Sequence, residues 1–212
     1  MKRSLFGLVI ISCIFLTSGC VVGQKIDYAS SPIPKLKEKG NKTVAVGVHD
    51  QRAYVKNGQK YPRYVGTFRG GFGNPWDVET ASNKPLAKDI NGVFSQAMKN
   101  AGYKAVPVEI VFSDNQDTVL MKFKNAGAER FLLLTLNKWR NDTYMNTSLY
   151  YDLVLTVYDQ DLKQLAESRA SGEEHLGSGF DTTTPAKENA PKFLQKILEK
   201  LLNNAKVQAA LH

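Results

Sequence analysis

The chain has 212 residues, 42% of them hydrophobic and 23% charged, which is enough for one domain with a real core. The only cysteines, Cys13 and Cys20, fall within the first 20 residues, so no disulfide framework can staple the folded part. A formal charge of +8 suits acidic partners, nucleic acid among them, until the compartment is considered.

Lys2 and Arg3 precede an apolar run from Leu5 to Phe15, and small residues then lead to Cys20. Charge, apolar run and small-residue site in that order form a secretory signal. The run is too short for a membrane-spanning helix, which needs roughly 20 apolar residues. Ser18-Gly19-Cys20 resembles the bacterial lipobox, with Thr17 where Leu is preferred. That resemblance implies cleavage before Cys20 and a diacylglyceryl group on its sulfur, with a further acyl chain such as palmitate on the new amino group. Ordinary secretion with a free Cys20 is the alternative. Val21, not Asp, follows the cysteine, which resembles the signal for an outer-membrane destination facing the periplasm. Removing residues 1–19 takes two cations away and leaves a formal charge of +6. In the envelope the acidic partners are anionic lipid headgroups, lipopolysaccharide phosphates or peptidoglycan carboxylates, not nucleic acid. A solvated positive surface that merely keeps the protein soluble reads equally well.

Residues 20–42 read as a lipidated N-terminus and tether: Pro32 and Pro34 stiffen it, and no apolar period appears. Lys35, Lys37, Lys39 and Lys42 would then lie within reach of headgroups. Residues 43–212 read as a single globular domain. Thr43 to Val48 is a strand apolar enough to be central, emptying into His49-Asp50-Gln51-Arg52. An ion pair between Asp50 and Arg52 would pin the segment that follows.

Asn57-Gly58 signals a two-residue hairpin. Around and beyond it, rings and cations interleave: Tyr54, Lys56, Lys60, Tyr61, Arg63, Tyr64, Phe68, Arg69, Phe72 and Trp76. Flat rings beside cations suit sugar faces, membrane interfaces or peptide segments, so this insertion is the candidate binding surface. Its aromatics folding back onto the domain is the competing reading. Asn83 and Pro85 open a helix whose stripe Leu86, Ile90, Val93, Phe94, Ala97 and Met98 ends at Gly102. Gly92 inside it suggests close packing on the sheet. Tyr103 to Phe112 is a strand made an edge or bulged one by Pro107. A short helix over Thr118–Ala126 follows, then an apolar central strand from Arg130 to Leu136. A turn at Asn141-Asp142 leads to an alternating strand over Leu149–Tyr158, and Leu162 to Glu174 completes an antiparallel meander. Phe193, Leu194, Ile197, Leu198, Leu201 and Leu202 make one face of the last helix. The expected fold is α+β (mixed α/β): a single mixed sheet with two or three helices packed on it and a hairpin insertion after the first strand.

No Gly-x-Ser-x-Gly elbow or His-Glu-x-x-His pair appears, so no catalytic residue is assigned, and no cofactor beyond the lipid on Cys20. If the ends of the first and last strands met, His49, Asp50, Glu174 and His175 would offer mixed nitrogen and oxygen ligands to a metal, or a hydrolytic site. The lipobox, the strand running into Asp50-Gln51-Arg52, the helix ending Met98-Lys99-Asn100-Ala101-Gly102-Tyr103, the late meander and the closing amphipathic helix together resemble the YajG-type family of bacterial lipoproteins. The resemblance implies a mixed-sheet envelope lipoprotein and supplies no chemistry. The chain departs from that pattern over Lys56–Val78. A non-catalytic binding or adaptor module held at the membrane is the expectation, with an envelope protein, peptidoglycan or lipid headgroup as partner.

Overall fold

One long strand organises the sheet. In the computed structural model, which describes residues 24–178 and 182–212, β6 (Arg130–Thr143) is bordered on both edges. Along one edge runs β7 (Asn146–Asp159), antiparallel, and β8 (Gln164–Ser178) pairs antiparallel with β7. The other edge is shared. β2 (Thr43–Asp50) pairs parallel with residues 130–136, and β3 (Tyr64–Arg69) pairs parallel with residues 141–143. A register shift between Leu136 and Lys138 separates the two halves, and a bulge there lets one strand serve two neighbours. β5 (Lys104–Val108) closes the outside of β2, β4 (Pro75–Thr80) pairs with β3, and β1 (Lys25–Ile26) lies parallel beside β4. The sheet has eight strands among the described residues. Close approach of β3 to β6 requires Gly66, because a Cβ there would sit 2.5 Å from the Asn141 carbonyl oxygen.

The strand sequences explain the layering. Val44, Val46 and Val48 of β2 enter the main core with α2 (Leu86–Asn100), α4 (Thr184–Leu202) and α5 (Ala205–Leu211). Ala45, on the opposite face, joins a smaller cluster with Val119 and Phe123 of α3 (Gln116–Asn125). Both faces are covered, so β2 and the first half of β6 read as continuous apolar runs. The stripe expected for α2 is buried, and Gly102 ends it at φ 93°, its N–H on Lys99 and that of Tyr103 on Met98. That is a Schellman stop, and only glycine fits the left-handed position cheaply.

The α+β expectation holds, and several details are corrected. Asn57-Gly58 does not turn a hairpin: α1 (Ala53–Lys56) is a single helical turn ended by Asn57, with Gly58 at φ 75°. The same dipeptide closes a helix as readily as a hairpin; the hairpin is β3–β4, turning through Gly70–Asn74. Asn83 is no cap: it sits at φ 58°, takes the Lys25 ammonium on Oδ1 at 2.6 Å, and leaves the cap position to Pro85. No turn falls at Asn141-Asp142, because Asn141 is pinned inside β6, donating to the Val65 carbonyl and the Tyr28 hydroxyl, each at 3.0 Å. The reversal comes at Tyr144-Met145 instead. The strand expected to reach Phe112 stops at Val108.

The tether is the largest revision. From Gln24 onward it is part of the domain. Ile26 and Tyr28 are fully buried, Ser31 and Pro34 are buried, and Ile33 and Leu36 pack on the core. Tyr28 stands edge-on to Trp139 with ring centres 5.9 Å apart, and its hydroxyl accepts from Trp139 Nε1 at 2.9 Å. Burial pushes the Tyr28 phenol up to about 12, against the two hydrogen bonds it accepts. Backbone bonds tie this stretch to the end of α4: the main-chain N–H of Lys35 donates to Glu199 and that of Lys37 to Asn203, while the side chains of Lys35, Lys37 and Lys39 stay exposed. The signal-like segment and Cys20 lie outside the described residues. No described helix is long and apolar enough to cross a membrane.

Candidate functional site

The carboxyl end of β2 is where polar chemistry meets the core. Asp50 and Arg52 are both buried, and the guanidinium forks onto the carboxylate at 2.8 Å and 2.6 Å. Its remaining donors reach the carbonyls of Tyr64 at 2.6 Å and Pro62 at 2.9 Å. Tyr54 lies under the guanidinium, 5.4 Å from ring centre to Cζ, and its hydroxyl donates to the Trp139 carbonyl. Burial alone would pull Arg52 down, but the hydrogen bonds and charge of Asp50 outweigh it and hold the group above its ordinary value. The pair therefore pins residues 62–64 to the sheet, as the spacing of Asp50 and Arg52 suggested. It has no free donor for a ligand.

His49 points to the other face of β2. Gln51 Nε2 lies 2.6 Å from His49 Nε2, so the ring accepts there when neutral. Burial holds His49 below the usual imidazole range, with Asp114 opposing. Asp114 is tied to Lys122 and to the Val111 N–H. His175 is remote. His49 is level with Thr135 on β6, Val154 on β7 and Arg169 on β8, three strands away, and His175 lies six residues further along β8. Six residues at about 3.3 Å each keep the two rings apart, so the joint His49/His175 metal or hydrolase site with Asp50 and Glu174 is not assembled. No group of three His, Cys, Asp or Glu side chains suited to a metal occurs among the described residues.

The aromatic–basic set divides in two. Tyr54, Tyr64 and Phe68 fold inward, Tyr64 and Phe68 being buried, as the competing reading held. The cations are engaged: Lys56 on Gln51 Oε1, Lys60 on Asp77 and over the Tyr64 ring, Arg63 on Glu79 and over the Tyr61 ring, and Arg69 on Asp142. Tyr61, Phe72 and Trp76 keep open faces. The ten residues do not form one surface.

What sequence reasoning missed is a cleft of about 620 Å³ beyond the carboxyl ends of β2 and β5. Val48, Pro62, Pro85, Ala87, Ile110 and Phe112 give it apolar walls; Lys84, Lys88, Glu109 and Asp50 place both signs of charge around it. Crevices beyond the carboxyl ends of parallel strands are the usual ligand positions in such sheets. Asn91 donates to the Val108 carbonyl at 3.1 Å and leaves its Oδ1 buried without a partner. The start of α2 is not a bare anion site, because Asp89 stands in its first turn, accepting from Ser82 Oγ at 2.7 Å. Burial pushes the Asp89 carboxyl up, against that hydrogen bond. Gly92 was the available signal. A Cβ there would meet nothing within 4 Å, so this glycine leaves the cleft open and does not serve close packing on the sheet.

No protein-family model and no curated protein matches the sequence. Solved structures do match its fold. A Xanthomonas campestris protein of the DUF330 family superposes with a TM-score of 0.57 at 10% identity, covering 85% of this chain and 94% of that one. Looser superpositions, on which nothing rests here, include a PelC dodecamer from Paraburkholderia phytofirmans, TM-score 0.41, 11% identity, 82% and 95% covered. Lipoprotein GNA1162 from Neisseria meningitidis gives 0.36 at 11% identity, with 64% and 84% covered. At such identities the likeness to the Xanthomonas protein is one of fold: this chain shares its α+β architecture over nearly the whole of both molecules.

Proposed function

We propose that this protein is a non-catalytic binding module of the bacterial envelope, held by lipid on Cys20 at the outer membrane and facing the periplasm. It takes an apolar segment of a partner protein in the cleft beyond β2 and β5. The observation that carries this reading is the cleft itself, with apolar walls and a rim of mixed charge. Apolar walls with a few placed polar groups are what binding sites share, and a mixed rim suits a peptide better than a polyanion. The lipobox resemblance supports the anchor.

Site-specific photo-crosslinking in intact cells tests the cleft. A photoreactive residue at Val111, which is 44% exposed on the cleft wall, is expected to capture a discrete protein, whereas one at the exposed Glu167 of β8 captures none. Gly92→Phe should fill the cleft and abolish the adduct. It should not unfold the chain, since a Cβ at this helical glycine meets nothing and phenylalanine is a somewhat better helix former than glycine, by a few tenths of a kcal/mol. Equal capture at both positions, or an adduct that survives Gly92→Phe, would refute this use of the cleft. Adducts to lipid or glycan alone would point to a headgroup or peptidoglycan partner in its place.

A further inference from the structure

Two turns and the end of a strand lie at one end of the sheet, and the amino end of β1 faces it. β3 runs parallel to β6 with Phe68 opposite Thr143, so the turn at residues 70–74 and the turn at Tyr144-Met145 emerge side by side. β8 ends there too, Ser178 opposite Asn146. β1 is parallel to β4 with Lys25 opposite Glu79, so Gln24 lies level with Val78, three residues in from the start of β4, and the amino end of β1 faces that same end.

The side chains on these turns are bare. Phe72 is 98% exposed, Met145 61%, Tyr144 40% and Trp76 39%. Exposed apolar residues scattered singly need no explanation, but three of these four sit on two adjacent turns and Trp76 follows directly at the start of β4. Nothing lies within 4 Å of where a Cβ at Gly71 or Gly73 would be, so the loop presents Phe72 outward without support. The Trp76 indole leans toward Gly70, its Nε1 3.5 Å from a Cβ built there. The charges behind them are paired: Asp142 lies 3.2 Å from Arg69 and 3.8 Å from Arg140. Aromatic rings with a polar edge, flanked by arginine, suit the boundary between headgroups and acyl chains.

We infer that this end of the sheet docks on the bilayer, with Phe72 and Met145 entering the acyl boundary and Trp76 and Tyr144 lying at headgroup level. The inference rests on the lipid-anchor reading. The four links from Cys20 to Gln24 span at most about 14 Å, so an anchored Cys20 keeps the domain against the membrane. A leash that short, ending at Gln24 beside β4, keeps the bilayer within reach of the turns beyond the start of β4, which is why the occupant is the bilayer and not a second copy of the chain.

Tryptophan fluorescence of the full, lipidated chain tests this on vesicles of phosphatidylethanolamine and phosphatidylglycerol carrying brominated acyl chains. Trp139 is fully buried, so a bromine-quenched component belongs to Trp76. Quenching is expected in the wild type, lost in Trp76→Phe, and restored when Phe72→Trp is added to that variant. Phe72→Asp with Met145→Asp should still float with the vesicles while Trp76 escapes quenching. A floated wild type whose Trp76 is untouched by bromine and open to aqueous iodide would overturn the docking and leave the anchor standing. Shielding of Trp76 from both quenchers would also overturn it, in favour of self-association. An unmodified Cys20 in a chain that still shows bromine quenching would remove the anchor and keep the docked end.

Discussion

Replacing Arg52 by alanine is expected to cost about 3–5 kcal/mol of stability, the usual result of breaking a buried pair from one side. The substitution strands the Asp50 carboxylate in the interior and takes donors from the carbonyls of Tyr64 and Pro62. For a domain of this size that corresponds to a fall in Tm of roughly 6–20 °C, measured by thermal unfolding of the purified chain. Arg52→Lys should recover little, because a point ammonium cannot reproduce the two-pronged contact with Asp50 and still reach both carbonyls. A Tm within a degree or two of wild type for either variant would show that the segment after β2 is held by something else.

Tyr28→Ala is expected to be as damaging, at about 3–5 kcal/mol, the range for removing a large buried aromatic side chain. Tyr28→Phe separates packing from hydrogen bonding. It leaves Trp139 Nε1 without the hydroxyl it donates to, at a cost of about 1–3 kcal/mol, while Asn141 keeps the Val65 carbonyl. Were residues 24–36 a free tether, neither substitution would move the unfolding midpoint, and that outcome would contradict the packing described for Ile26 and Tyr28.

The fold was legible where burial imposes a period. The α2 stripe, the alternation in β7, the apolar start of β6 and the edge character of β5 all follow from which faces must be covered. Misreadings cluster where one residue type serves two geometries. Asn57-Gly58 fits a helix end as well as a hairpin, and Asn141-Asp142 looks like a turn until a tyrosine from over a hundred residues earlier meets Asn141. The packing of residues 24–36 was hidden for another reason. Ile26, Tyr28, Ile33 and Leu36 show no regular period, because they are irregular chain buried by distant partners. At the site, the Asp50–Arg52 pair was readable because it is local. The cleft was not, since its walls come from β2, the start of α2 and the residues after β5, and only the sheet brings these together. The aromatic–basic run was visible as composition, but the strand pairing of β3 with β4 and β6 decides which rings turn inward.

We propose a binding domain held close to a bilayer by its own N-terminus. Mass spectrometry of the N-terminal peptide from membrane-purified protein tests this most directly. A mature chain beginning at Cys20 and carrying acyl chains is predicted, with the modification lost in Cys20→Ser. A chain that begins elsewhere, or whose Cys20 is an unmodified thiol, would contradict it.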